Sequence, residues 1–95
     1  MKKKIEPNVY LSVIIPAYNE EERLPATLAV LDNYLLKQNY LSEVIVVSDG
    51  STDGTKRVAQ EFTFSATQFK VFEYFPNKGK GAAVKLGMLE ARGDI

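Results

Sequence analysis

The stretch VVSDGSTDGT, at residues 46–55, places a carboxylate directly after a run of apolar residues. That carboxylate, Asp49, can accept hydrogen bonds from a nucleobase imide or a ribose hydroxyl. A glycine beside it lets a planar ligand approach the backbone. The alternative is a turn followed by a helix cap, which is the more typical role of the neighbouring residues Gly50, Ser51, Thr52 and Gly54. For Asp49 both interpretations stay open, whereas the acid spacing does not fit an EF-hand calcium loop.

A glycine-rich stretch, NKGKGA at residues 77–82, carries two lysines at a predicted helix start. Lys78 and Lys80 flank Gly79, so two ammonium groups and nearby backbone N–H groups could meet a phosphate together. The stretch is neither a P-loop nor a dinucleotide-binding fingerprint, because the glycine and lysine spacing of those motifs is absent. A glycine-rich turn with solvated lysines is the open alternative.

The stretch PAYNEEE, at residues 16–22, combines an aromatic ring with carboxylates. Tyr18 could stack on a base and Glu20 could contact it. Such residues are also common at strand-to-helix turns that bind no ligand, so this stretch is weak evidence when taken alone.

The composition narrows the class of protein. The chain has 95 residues, 45% of them hydrophobic and 25% charged, as expected for one globular domain. Its 12 basic and 12 acidic side chains cancel, so no nucleic-acid partner is expected. Without cysteine or histidine the chain cannot hold a disulfide, a zinc site with those ligands or a Ser-His-Asp triad. Lacking a membrane-spanning run or a signal peptide, it is expected to be cytoplasmic.

Six alternating elements are predicted to position these stretches. They are a strand over 10–15, a helix from Leu24 to near Gln38, a strand over 44–47, a helix capped by Ser51 or Thr52, a strand over 69–75 and a helix over 80–91. The predicted buried positions of the helices are Leu24, Leu28, Leu31 and Leu35, then Val58, Ala59 and Phe62, then Val84, Met88 and Ala91, with Gly87 permitting close packing. Strands and helices in this order predict an α/β fold with a parallel sheet of βαβ units. The unbroken apolar run of the second strand indicates a central position.

Parallel strands bring the three stretches to one edge of the sheet. In open parallel sheets, ligands bind in the crevice beyond the carboxyl ends of the strands. The three stretches would therefore supply aromatic, acidic and cationic groups around one crevice. Their convergence favours a nucleotide-diphosphate ligand.

Three motifs, SVIIPAYNEEERL, EVIVVSDGSTDGT and NKGKGAAVKLGMLEARGDI, together resemble a known family. In order and spacing they are similar to the N-terminal half of family 2 glycosyltransferases, which have the Rossmann-like GT-A fold. The likeness is greatest to dolichyl-phosphate and polyprenyl-phosphate glucosyltransferases. It covers residues 10–95, and Ser48 departs from it because many relatives carry a second acid there. Residues 9–95 are thus expected to form the donor-nucleotide part of the domain, after a basic tail over 1–8.

The resemblance implies an inverting transfer of glucose from UDP-glucose to a polyprenyl or dolichyl phosphate. By matching positions, Pro16, Ala17 and Tyr18 would wall the nucleoside pocket, with Glu20 close by. Asp49 matches the family's uracil-contacting aspartate, and Lys80 lies in the stretch that approaches the donor phosphates. The family's Asp-x-Asp motif, which binds Mg²⁺ or Mn²⁺, its catalytic base and its acceptor site are expected beyond Ile95, so this chain alone is expected to be inactive.

Other functions compete with this hypothesis. The chain could be a non-catalytic nucleotide-binding module, or could form a homo-oligomer through an open sheet edge. A nucleotidyltransferase is less favoured, because it would need a glycine-rich loop after the first strand and PAYNEEE has no glycine. The basic tail also allows a position at the cytoplasmic face of a membrane.

Overall fold

The computed structural model describes residues 9–95 and shows three strands alternating with three helices. The elements are β1 (Leu11–Ala17), α1 (Leu24–Leu36), β2 (Ser42–Asp49), α2 (Thr55–Glu61), β3 (Gln68–Tyr74) and α3 (Lys80–Glu90). The predicted order of elements is confirmed. Most elements begin or end a few residues away from the predicted boundary. The predicted basic tail over residues 1–8 lies outside the described residues.

The strands form a parallel sheet in the order β1-β2-β3. The register places Ala17 of β1 beside Ser48 of β2, and Asp49 of β2 beside Tyr74 of β3. Every residue of β2 is buried, which confirms that this strand is central. Because all strands run the same way, their carboxyl ends share one edge of the sheet.

The sheet is covered on both faces, and β2 supplies both cores. Val44 and Val46 pack in the cluster that includes α1 and α2 residues, whereas Ile45 and Val47 pack with Ala83 of α3. Successive strand residues point to opposite faces, so an unbroken apolar run is what a strand covered on both faces requires. The predicted leucine face of α1 is confirmed, since Leu24, Leu28 and Leu35 are buried and Leu31 packs against them.

The predicted buried face of α3 is partly wrong. Met88 is 65% exposed, and the buried positions of this helix are Ala83 and Gly87. The side of the helix with small residues faces the sheet, because α3 lies close enough to β1 for Gly87 to contact Ile14. A methionine on that side would not fit. The prediction that Gly87 permits close packing is confirmed.

The predicted cap of α2 is also wrong. Gly54, rather than Ser51 or Thr52, stands at the N-cap, and it provides no side-chain cap. Instead the carboxylate of Asp53 accepts hydrogen bonds from the backbone N–H (2.9 Å) and the hydroxyl of Thr55. Ser51 is buried, and its hydroxyl accepts a hydrogen bond from the backbone N–H of Asn19 (3.1 Å).

A polar network lies at the opposite, amino-terminal edge of the sheet. The fully buried carboxylate of Glu43 accepts hydrogen bonds from the Ser12 hydroxyl (2.7 Å) and from the backbone N–H of Arg92. The Ser12 hydroxyl in turn accepts one from the N–H of Gly93 (2.8 Å), and Lys70 Nζ lies 3.4 Å from Glu43 Oε1. The network ties the end of α3 to the sheet.

After α3 the chain returns to the free edge of β1. The N–H of Ile95 donates to the carbonyl of Tyr10 (2.9 Å), and its own carbonyl accepts from the N–H of Ser12 (2.8 Å). These two hydrogen bonds follow the pattern of neighbouring parallel strands, so Ile95 pairs with the edge of β1. Within the described part of the chain, no helix is long and apolar enough to cross a membrane.

Candidate functional site

Three loops meet at the carboxyl edge of the sheet. They are loop 1 (residues 18–23) after β1, loop 2 (residues 50–54) after β2 and loop 3 (residues 75–79) after β3. Hydrogen bonds join loop 1 to loop 2, and others join the end of β2 to loop 3. The loops are therefore held in place before any ligand arrives.

Asn19 connects loop 1 to loop 2. Its side-chain oxygen accepts a hydrogen bond from the N–H of Thr52 (2.8 Å), and its own N–H donates to the Ser51 hydroxyl (3.1 Å). Its φ of 52° lies in the left-handed region, which asparagine tolerates better than most residues. Asn19 therefore holds the backbone between Tyr18 and Glu20, the two residues of loop 1 predicted to contact a base.

Two acidic residues of loops 1 and 2, Glu21 and Asp53, bind backbone groups. Glu21 accepts a hydrogen bond from the N–H of Gly54 (2.6 Å), and Asp53 accepts one from the N–H of Glu21 (3.2 Å). Burial would raise the pKa of Asp53, but its hydrogen bonds from Thr55 and from the N–H of Glu21 lower the pKa below its usual value. Asp53 therefore stabilises the loops as an anion.

Asp49 is bound by loop 3. Its carboxylate accepts hydrogen bonds from the backbone N–H groups of Lys78 (2.8 Å) and Gly79 (2.9 Å) and from the Asn77 amide (2.9 Å). Both carboxylate oxygens take part, and Asp49 is only 3% exposed. The residue predicted to contact a base therefore already has partners within the protein.

Tyr74 lies beside Asp49 on the next strand. Burial, with the hydroxyl close to the Asp49 carboxylate, raises the pKa of Tyr74 to about 12. Burial would likewise raise the pKa of Asp49, but the Tyr74 hydroxyl, the N–H groups of Lys78 and Gly79 and the Lys78 charge together lower it. Asp49 is therefore ionised at neutral pH.

The predicted approach of Lys78 and Lys80 to a phosphate stays a prediction, but the backbone N–H groups of Lys78 and Gly79 are not free to join them. The N–H groups of Lys78 and Gly79 donate to Asp49, and the Lys78 ammonium lies 5.3 Å from the centre of the Tyr74 ring. Lys80, the first residue of α3, instead lines a pocket at the sheet edge.

The pocket has a volume of about 150 Å³ and collects the six site residues that the family resemblance implied. It is lined by Pro16, Ala17, Tyr18, Glu20, Asp49 and Lys80. Tyr18 is 48% exposed, so its ring is accessible to a ligand. A second cavity of about 260 Å³ shares Pro16, Ala17 and Glu20 and continues toward α1. The two cavities therefore share three lining residues at the carboxyl end of β1.

Arg23 was missed in the sequence and borders the second cavity. Its guanidinium pairs with the Glu20 carboxylate, with Nη2 2.7 Å from Oε1. The spacing of three residues at the start of α1 is a signal that could have indicated this pair.

Ser48 stands where many relatives carry a second acid, and it lies beside an acidic residue of β3. Its hydroxyl lies 2.8 Å from Glu73 Oε2 on β3 and 2.8 Å from the Ser51 hydroxyl. A carboxylate is therefore present beside position 48 although the residue itself is not acidic. No local pattern predicts this arrangement, because it depends on the register between β2 and β3.

Comparison with known proteins identifies the family. Residues 12–95 match the family model described as Glycosyl transferase family 2. The chain belongs to glycosyltransferase family 2. This family 2 chain is 48% identical over 94 residues to a dolichyl-phosphate beta-glucosyltransferase of Drosophila melanogaster, and 40% identical over 95 residues to that of Mus musculus. The alignments cover 92% and 93% of the chain but only 29% of the length of each relative.

A solved structure supports the fold. The family 2 chain resembles a mannosyltransferase from Pyrobaculum calidifontis in complex with GDP-Man and Mn²⁺, with a TM-score of 0.68 and 28% sequence identity. The likeness covers 96% of this chain and 28% of the mannosyltransferase. The predicted Rossmann-like GT-A fold and the predicted family are confirmed.

Among residues 9–95, no group of three or more acidic side chains is placed to hold a metal ion. The described residues thus do not supply a metal site by themselves.

Proposed function

We propose that this chain binds the nucleotide-sugar donor of a glycosyltransferase that moves glucose from UDP-glucose to a dolichyl or polyprenyl phosphate. One observation carries the proposal. Six residues from three separate stretches of sequence line one pocket at the carboxyl edge of a parallel sheet. That edge is where α/β proteins of this architecture bind nucleotides.

The nucleoside would lie against loop 1. Pro16 and Ala17 offer apolar contacts at the end of β1, and the exposed ring of Tyr18 is available for stacking on a base. Glu20 lines the same pocket, with one oxygen paired to Arg23 and the other available to a ribose hydroxyl. These groups can bind a nucleoside without changing the backbone of loop 1.

The diphosphate would lie toward α3. Lys80 provides a positive charge in the pocket, and it begins a helix whose N-terminus favours anions. Asp49 lines the same pocket and accepts a hydrogen bond from loop 3. Base selectivity would depend on groups near Tyr18, and diphosphate affinity on Lys80.

The acceptor and stereochemistry are inferred from the relatives. Their names specify dolichyl phosphate as acceptor and a beta-glucosyl product. Because the glucosyl bond of UDP-glucose is α, a β product requires inversion. The mannosyltransferase complex contains Mn²⁺, so we propose that the full-length protein uses Mg²⁺ or Mn²⁺ through ligands outside this chain. A cytoplasmic position facing a membrane, and self-association through a sheet edge, stay predictions.

Titration of the full-length protein with UDP tests the proposal. Tyr18→Ala should weaken UDP binding by about tenfold or more, since stacking of a base on an aromatic ring contributes roughly 1–3 kcal/mol. Tyr10→Ala is the matched control, because Tyr10 is similarly exposed at 44% but lies at the other end of β1. If the unaltered protein fails to bind UDP, or both variants behave alike, the assigned site is wrong.

A further inference from the structure

Asp49 lines the proposed nucleotide pocket, yet its hydrogen bonds point elsewhere. One oxygen accepts the N–H of Lys78 (2.8 Å), and the other accepts the N–H of Gly79 (2.9 Å) and the Asn77 amide (2.9 Å). A carboxylate with three donors in a buried position is held firmly, and so is the segment that supplies the donors. Asp49 therefore determines where loop 3 lies.

Other contacts hold loop 3 against the same strand end. Gly50 has a φ of 65°, and a β-carbon there would lie 2.4 Å from the backbone nitrogen of Asn77, so only glycine permits this approach. The Asn77 amide also donates to the Asp49 carbonyl (2.9 Å). The Lys78 ammonium rests over the Tyr74 ring. The whole loop is thus built on the end of β2.

Loop 3 leads directly into the cationic part of the pocket. Gly79, whose N–H donates to Asp49, is the residue before Lys80. Lys80 is the only lysine or arginine among the described residues that line this pocket. The direction of its side chain thus depends on a backbone that Asp49 holds.

We infer that Asp49 is a positioning residue that acts through loop 3 to hold Lys80 against the donor diphosphate. The inference rests on the proposed function and assigns Asp49 this task in place of the base contact predicted from the sequence. It requires that replacing Asp49 weakens diphosphate binding by way of Lys80, whichever base the nucleotide carries.

A double-mutant cycle on the full-length protein tests this coupling. The affinity for UDP is measured by calorimetry for Asp49→Asn, Lys80→Gln and the double variant. Each single substitution should weaken UDP binding about tenfold or more, since each removes a charge-assisted interaction. The double variant should bind UDP no more weakly than the single variant that binds it more weakly. The reason is that Asp49→Asn already displaces Lys80, so Lys80→Gln then removes no further interaction. Fully multiplicative effects would overturn the inference.

The choice of base separates positioning from base contact. If Asp49 acts through loop 3, Asp49→Asn should weaken UDP and GDP by the same factor. If Asp49→Asn changes the ratio of UDP to GDP affinity even in a protein that already carries Lys80→Gln, then Asp49 contacts the base directly and the inference is overturned. Asp53→Asn is the matched control, because Asp53 holds loop 1 and should combine independently with Lys80→Gln.

A second variant serves if Asp49→Asn does not fold. Asn77→Ala removes only the amide donor, so it should produce a smaller loss of UDP affinity that again disappears beside Lys80→Gln. Hydrogen exchange at the N–H groups of Lys78 and Gly79 should also accelerate in this variant; unchanged exchange would count against the inference. Failure of the unaltered protein to bind any nucleoside diphosphate would instead refute the proposed function.

Discussion

Gly87 of α3 lies directly against Ile14 of β1. A β-carbon at Gly87 would lie 2.4 Å from Ile14 Cγ2, closer than two such atoms can approach. Gly81, in the first turn of the same helix, has nothing within 4 Å of the corresponding position. The helix thus holds one glycine that packing requires and one that it does not.

Alanine substitutions at these two glycines should have opposite effects. Gly81→Ala should raise the free energy of unfolding by about 0.5–1 kcal/mol, because it restricts the unfolded chain without a clash. Gly87→Ala should be less stable than Gly81→Ala by about 1–3 kcal/mol, because Ile14 must move within a packed core. Urea unfolding of both variants measures the difference, and equal stabilities would show that α3 does not pack closely on β1.

Glu43→Gln should destabilise the fold although Glu43 lies far from the pocket. The substitution keeps the shape of the side chain but removes its negative charge. The Glu43 carboxylate lies beside Lys70 and accepts hydrogen bonds from the Ser12 hydroxyl and the backbone N–H of Arg92. A loss of about 1–3 kcal/mol in the free energy of unfolding is expected. Glu90→Gln is the control, because Glu90 is exposed and should change stability by less than about 0.5 kcal/mol. Equal effects of the two substitutions would contradict a structural role for Glu43.

Acid should destabilise the protein through three carboxylates. Burial would raise the pKa values of Glu43, Asp49 and Asp53, but hydrogen bonds to each lower them below 4.5 for the glutamate and 3.8 for the aspartates. A lowered pKa contributes stability that is complete above the unfolded-state value and is lost as pH falls through the folded-state value. The free energy of unfolding should therefore decline as pH falls below about 4.5.

Urea unfolding from neutral pH to about pH 3 measures this decline. In Glu43→Gln only the two aspartates of this set titrate, so the decline should be shallower and begin at lower pH. Stability that is constant or rising over this interval would mean that the carboxylates are not held as anions.

Substitutions of Asn19 should separate its backbone conformation from its hydrogen bond. Asn19→Ala should cost about 1–2 kcal/mol, because a β-carbon disfavours positive φ and the acceptor for Thr52 is lost. Asn19→Gly removes only the acceptor and should cost less. Asn19→Asp keeps both features and should cost least. Thermal unfolding ranks the variants, and an alanine variant as stable as the original protein would contradict the role of Asn19.

Much of the fold could be predicted because the dominant signals are local. The unbroken apolar run of Val44–Val47 marks a strand covered on both faces, and the leucine spacing of α1 marks its buried side. The face of α3 was harder to predict. Positions 83 and 87 recur at the same interval as Val84 and Met88, and only the close approach to Ile14 selects the smaller pair.

The sequence by itself determined the order of elements, their parallel pairing and the edge to which Tyr18, Asp49 and Lys80 belong. Alternating strands and helices allow few other arrangements, so residue type and spacing sufficed. Only the tertiary structure decided what each carboxylate binds. Asp49 accepts hydrogen bonds from loop 3, about thirty residues later in the chain, and Glu73 lies beside Ser48 because of the register between β2 and β3. The spacing of apolar residues predicts which positions can be buried. Hydrogen-bond partners that are so distant in the chain are brought together only by the packing of the whole sheet.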